Sequence, residues 1–174
     1  MTARVLLVEN DDRGYRAAFR DVPLSDLPPG DVLVRVRFSS LNYKDALAVT
    51  GAGKVVRRFP MVPGIDLVGE VVEAAAGYAV GQTVVCTGQG LGETRWGGYA
   101  THCRLPVDHL IPLPEGFDPF QAMAVGTAGF TAMRCLMALE RHGVAPGAKP
   151  LVITGAGGGV GSLAVLIAAR LGFS

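Results

Sequence analysis

The chain has 174 residues, 49% of them apolar and 18% charged, with 16 Lys and Arg against 15 Asp and Glu and a net charge of +1. This is the composition of a folded globular chain, and the near-zero charge excludes a field built for nucleic acid or an anionic membrane. The three cysteines, Cys86, Cys103 and Cys135, lie far apart without Cys-x-x-Cys spacing, which excludes a disulfide framework or zinc knuckle and fits a reduced, cytoplasmic setting.

Taken in order, residues 4–8 read as a first strand. Too short an apolar run surrounds them for a signal peptide. The clearest strand is 31–38, where Val32, Val34, Val36 and Phe38 alternate with Leu33, Arg35 and Arg37 after a Pro28-Pro29-Gly30 turn. Next comes Leu41-Asn42-Tyr43-Lys44-Asp45. It reads either as a loop in which Asn and Asp cap backbone groups, or as a site whose Tyr hydroxyl donates to an enolate or a cofactor ribose. Lys54, Arg57 and Arg58 form a basic run. They suit a solvated face, or the phosphates of a large substrate. Pro60 and Pro63 then stiffen the entry into a strand at 65–73.

Further strands are expected at 82–86, 97–105 and 110–113, separated by Gly and Pro turns. Short strands of this kind indicate a small β-barrel. His102, His109 and His142 are scattered and show no metal spacing. Asp118-Pro119-Phe120-Gln121 opens a helix: Asp as N-cap, Pro at the first helical position and Gln reaching back. That helix is expected to break near 126–129 and end at about His142, with Gly143 as its C-cap. The small and hydroxyl residues of 126–132, Thr127 among them, suit either a flat cofactor ring or close helix packing.

The last segment carries the strongest signal. Residues 151–154 read as an apolar strand and 160–171 as an apolar helix, joined by Gly155-Ala156-Gly157-Gly158-Gly159-Val160-Gly161. Ala156, Gly158 and Gly161 hold the three spaced positions of a G-x-G-x-x-G pattern. Glycines let backbone approach a pyrophosphate, and a helix N-terminus offers it free N–H groups. The uncharged stretch between Lys149 and Arg170 is long enough to span a bilayer, but five glycines interrupt it, so a membrane helix is not expected.

Together, residues 41–47, 59–66, the Trp96-Gly97-Gly98 turn, 126–133 and the 155–161 loop closely resemble acrylyl-CoA reductases. These belong to the zinc-independent, quinone-oxidoreductase-like branch of the medium-chain dehydrogenase/reductase superfamily. The resemblance implies a GroES-like β-barrel domain over 1–124 and the start of an α/β Rossmann nucleotide-binding domain over 125–174. It implies NADPH-dependent reduction of acrylyl-CoA to propanoyl-CoA, with hydride to the β-carbon and a proton to the α-carbon. A quinone or enone reductase on the same scaffold, or a non-catalytic structural module, are the alternatives. In zinc-dependent relatives a Cys stands where Asn42 does and a His where Ile65 does, so no metal is implied here.

The family contacts its cofactor through positions matching Tyr43, Gly157, Gly158, Gly159 and Val160, and Thr127 is added as a candidate. Tyr43 and Asp45 are the catalytic candidates. An acyl-CoA thioester substrate and a homodimer are implied, with no nucleic-acid or membrane partner. Family members run to roughly twice this length, so the chain is expected to be a truncated form, or to need a second chain, with the helix at 160–171 left uncovered.

Overall fold

A computed structural model describes residues 1–75, 77–147 and 150–174, which divide into two units, Met1–Ala124 and Val125–Ser174. In the first unit, strands β1 (Thr2–Asp11) and β2 (Gly14–Pro23) form an antiparallel hairpin in unbroken register from Thr2↔Pro23 to Asp11↔Gly14. Strands β3 (Val32–Phe38), β4 (Asp66–Val71), β5 (Thr83–Thr87), β6 (His102–Leu105) and β7 (Ile111–Pro112) make an antiparallel sheet in the order β6-β3-β4-β5-β7.

Backbone bonds stitch the hairpin to this sheet. Val8 and Met61 exchange N–H···O bonds of 2.7 and 2.9 Å, and Leu6 N–H donates to Tyr99 O at 2.9 Å. This closure explains β3. Val32 and Val34 enter one core with Leu67, Val71, Cys86 and Leu105, while Leu33 enters a second core with Ala3, Val5, Leu27 and Val62. The alternation in β3 therefore sorts residues between two cores at its start, and not between core and water. Alternate side chains point to opposite faces, and here both faces are covered.

β2 has no counterpart among the strands expected from sequence. Its side chains are mostly exposed or half-buried, so no apolar alternation marks it. Charge pairs support it instead: Arg16 bonds Asp11 and Glu9, and Arg16 and Arg13 hold the Asp11 carboxyl far below the usual carboxylate range. Helix α1 (Tyr43–Thr50) also falls where a loop was expected. Eight residues are too few to show helical periodicity clearly.

The expected helix start is present. Asp118 N–H donates to Gln121 Oε1 at 3.0 Å, and Gln121 N–H to Asp118 Oδ1 at 2.8 Å. Helix α2 (Pro119–Arg141) is interrupted at Gly126, whose φ of 46° and ψ of −156° are not helical, and Gly143 (φ 81°) follows its end. By length and composition α2 could cross a membrane, but the Gly126 break leaves neither piece with the roughly 20 residues a span requires.

In the second unit, α3 (Gly159–Arg170) packs Ala168 with Leu136 and Phe173, flanked by Leu139, Leu151, Ile153 and Ile167. Val165 and Leu166 stay exposed. Residues 151–154 do not form the expected strand. A strand needs a hydrogen-bonded neighbour. Among the described residues Leu151 N–H donates to Ser174 O, at 2.7 Å, and Val152 is 84% exposed.

The three cysteines differ in reactivity. Burial pushes the Cys86 and Cys103 thiols up to about 12, whereas Cys135 is exposed. Since the thiolate is the reacting form, a maleimide at neutral pH is expected to modify Cys135 alone in the folded protein and all three after denaturation. Mass spectrometry reads the count; rapid labelling of Cys86 or Cys103 would contradict the packing around β5 and β6.

Candidate functional site

The first unit carries a polar corner where β3, α1 and β4 meet. Asn42 precedes α1 in extended conformation, and its backbone N–H donates to Asp45 Oδ2 at 2.9 Å. Asp45 is fully buried. Its Oδ1 accepts from the N–H groups of Gly64 and Ile65 at 3.2 and 3.0 Å, and its Oδ2 also accepts from Asn42 Nδ2 at 3.2 Å. One carboxylate thus ties the start of α1 to the turn that enters β4. Such charge-assisted bonds are stronger than neutral ones.

A second buried carboxylate, Asp66, lies beside it. Asp66 Oδ2 accepts from Ser40 Oγ at 2.5 Å and from Asn42 Nδ2 at 3.4 Å, and Asn42 Nδ2 also donates to Ser40 Oγ at 2.8 Å. The Tyr99 hydroxyl donates to Ser40 O at 3.4 Å. Burial pushes the Tyr99 phenol well above its ordinary value, and the charges of Asp45 and Asp66 push it further. It stays protonated, a donor only of its own O–H.

Close backbone approach holds the corner together. Gly97 N–H donates to Val62 O at 2.7 Å, and Gly98 N–H to Gly64 O at 2.8 Å. A Cβ on Gly97 would lie 2.1 Å from Gly64 O, so only glycine lets these two turns meet.

Tyr43 stands apart from this buried network. It is the first residue of α1 and is 81% exposed, so its hydroxyl faces solvent. Lys44 pairs with Glu93. Ile65 buries its side chain, while Asn42 uses its amide as a donor to two carboxylates. Among the described residues, no group of three or more His, Cys, Asp or Glu is placed to hold a metal ion.

The second unit carries the glycine turn. Gly158 N–H donates to Gly155 O at 2.9 Å, and Ser162 N–H to Gly158 O at 2.9 Å. The amides of Gly159, Val160 and Gly161 thus open α3 with no carbonyl four residues back inside the helix. Open space surrounds the missing Cβ of Gly157, while a Cβ on Gly161 would lie 2.2 Å from Gly155 O. The turn is tight on its inner side and vacant on its outer side, which suits an anion held by amides. Thr127 is half-buried and follows the Gly126 break.

Sequence reading missed Ser40, Asp66 and Tyr99 as members of the corner. They lie up to 59 residues apart along the chain, and no short motif joins them.

The model of the alcohol dehydrogenase GroES-like domain matches residues 28–115. The chain is 50% identical over 171 residues to acrylyl-CoA reductase AcuI of Ruegeria pomeroyi, covering 97% of this chain and 52% of that one. Its structure is similar to the yhdH oxidoreductase of Salmonella enterica in complex with NADP: TM-score 0.94, 49% identity, 98% of this chain and 53% of the other. It is also similar to the quinone oxidoreductase of Coxiella burnetii, with TM-score 0.75, 26% identity, and 100% and 55% covered. The chain therefore spans about half the length of the relatives it matches. With its antiparallel strands closed around two cores and a GroES-like domain model matched from residue 28 to residue 115, the chain belongs to the alcohol dehydrogenase GroES-like domain family.

Proposed function

We propose that the full-length protein reduces the carbon–carbon double bond of acrylyl-CoA, giving propanoyl-CoA at the expense of NADPH. The carrying observation is 50% identity, across nearly the whole chain, to an acrylyl-CoA reductase. The glycine turn supports it, because its outer side has room and free amides for a diphosphate. NADPH when bound supplies the hydride, which adds to the β-carbon. The α-carbon then takes a proton.

Each residue has a part in this reading. Gly157, Gly158, Gly159 and Val160 line the diphosphate: the amides of Gly157, Gly159 and Val160 donate to it, Gly158, whose N–H is held by Gly155 O, shapes the turn, and Thr127 flanks the cofactor. Tyr43, exposed at the head of α1, offers its hydroxyl to the reacting end and delivers the proton. Asp45 is a positioning residue: both its oxygens are occupied by donors of Asn42, Gly64 and Ile65, so it fixes α1 and hence Tyr43. The negative charge that develops on the thioester oxygen needs aimed donors.

Acrylyl-CoA-dependent loss of NADPH absorbance in the full-length protein tests the activity; oxidation of NADPH by a quinone but not by acrylyl-CoA would replace it with the quinone reading that the Coxiella burnetii likeness favours. Tyr43→Phe is expected to lower kcat about 100-fold. Its melting temperature should stay that of the wild type, because the side chain is 81% exposed. Wild-type kcat in this variant would remove Tyr43 as the proton donor.

A further inference from the structure

A recess of about 560 Å³ lies at the far end of α1, lined by Tyr15, Gly51, Lys54, Arg57 and Phe59 among others. Part of its wall is aromatic. Tyr15 and Phe59 meet edge to face with centroids 5.7 Å apart, and a Cβ on Gly51 would lie 2.8 Å from the Tyr15 ring. The last-turn carbonyls of α1 are already taken, Ala46 O by Thr50 Oγ, Leu47 O by Gly51 N–H and Ala48 O by the Tyr15 hydroxyl, so they present little free negative charge.

Its cations are uncommitted. Neither Lys54 nor Arg57 joins an ion pair among the described residues, while Glu93 pairs with Lys44, Asp11 with Arg13 and Arg16, and Glu9 with Arg16. Arg57 is tied to the same loop, its backbone N–H donating to Glu93 O at 2.8 Å. Two free cations beside an aromatic wall suit a phosphorylated nucleoside: phosphates on the charges, a base on the rings.

Tyr43 begins α1 and Gly51 caps it, so the recess lies about 12 Å along the helix from the Tyr43 end. A CoA thioester separates its reacting carbonyl from its phosphates by the length of the pantetheine arm, a spacing of this order.

We propose that Tyr15, Lys54, Arg57 and Phe59 form the subsite for the phosphoadenosine end of an acyl-CoA substrate. This rests on the acyl-CoA reading given above. The test uses the full-length protein carrying Lys54→Ala and Arg57→Ala together, with Arg20→Ala as a charge control. The double variant is expected to raise KM for acrylyl-CoA at least about tenfold. Its kcat, its KM for NADPH and its KM for acrylyl-pantetheine, which lacks the nucleotide, stay unchanged. A rise in KM for NADPH instead, or an equal rise for acrylyl-pantetheine, would overturn the subsite.

Calorimetric binding of free CoA separates this from the activity itself. Should the wild type turn over no acrylyl-CoA yet bind CoA, an at least tenfold weaker Kd in the double variant still supports the recess, and an unchanged Kd overturns it. No CoA binding by the wild type overturns both.

Discussion

Asp45→Ala is expected to destabilise the first unit by about 3–5 kcal/mol and to abolish ordered presentation of Tyr43. Asp45 is fully buried, and its two oxygens receive the backbone N–H groups of Asn42, Gly64 and Ile65 as well as Asn42 Nδ2. Removing the carboxylate leaves the three backbone N–H groups without this acceptor, while Asn42 Nδ2 keeps Ser40 Oγ and Asp66 Oδ2, and each buried orphan costs about 1–3 kcal/mol. A cavity adds to the loss. Asp45→Asn keeps the shape but turns an NH2 toward one set of N–H donors, so it should fall between wild type and Ala. Thermal melting of the three proteins reads the order. If Asp45→Ala melted with the wild type, the corner would not depend on this carboxylate.

The second large effect separates two glycines of one turn. Gly161→Ala would place a Cβ 2.2 Å from Gly155 O, against backbone that cannot step aside. Both stability and NADPH affinity are expected to fall. Gly157→Ala meets nothing within 4 Å. It should leave the melting temperature in place while its methyl group intrudes where a diphosphate would sit, raising Kd for NADPH about tenfold or more. Calorimetry and melting on the full-length variants decide. Equal affinity in Gly157→Ala and wild type would mean that the outer side of the turn holds no ligand.

Several elements were legible because their signals are local. The 31–38 alternation, the Asp118-Gln121 capping pair and the Gly126 break follow from neighbours within a few residues, and the structure carries each of them. The 151–154 segment shows the opposite case. Its composition is that of a buried strand, but strand formation requires partner backbone, and one bond to Ser174 does not supply it. The hairpin strand β2 was hidden for the complementary reason: its partner, β1, is present, while its own side chains lie too near water to show a pattern.

The candidate site divides the same way. Sequence alone determined the glycine turn, since the close backbone approach inside it, Gly161 against Gly155 O, leaves no room for a side chain. It also brought out Asn42, Tyr43 and Asp45 as a group. Only tertiary structure decided what they do differently: Asp45 sealed under four donor contacts, Tyr43 open to solvent, and Ser40, Asp66 and Tyr99 gathered from separate parts of the chain. Burial is a property of what folds over a residue, and closure of the hairpin and sheet set it here through contacts distant along the chain.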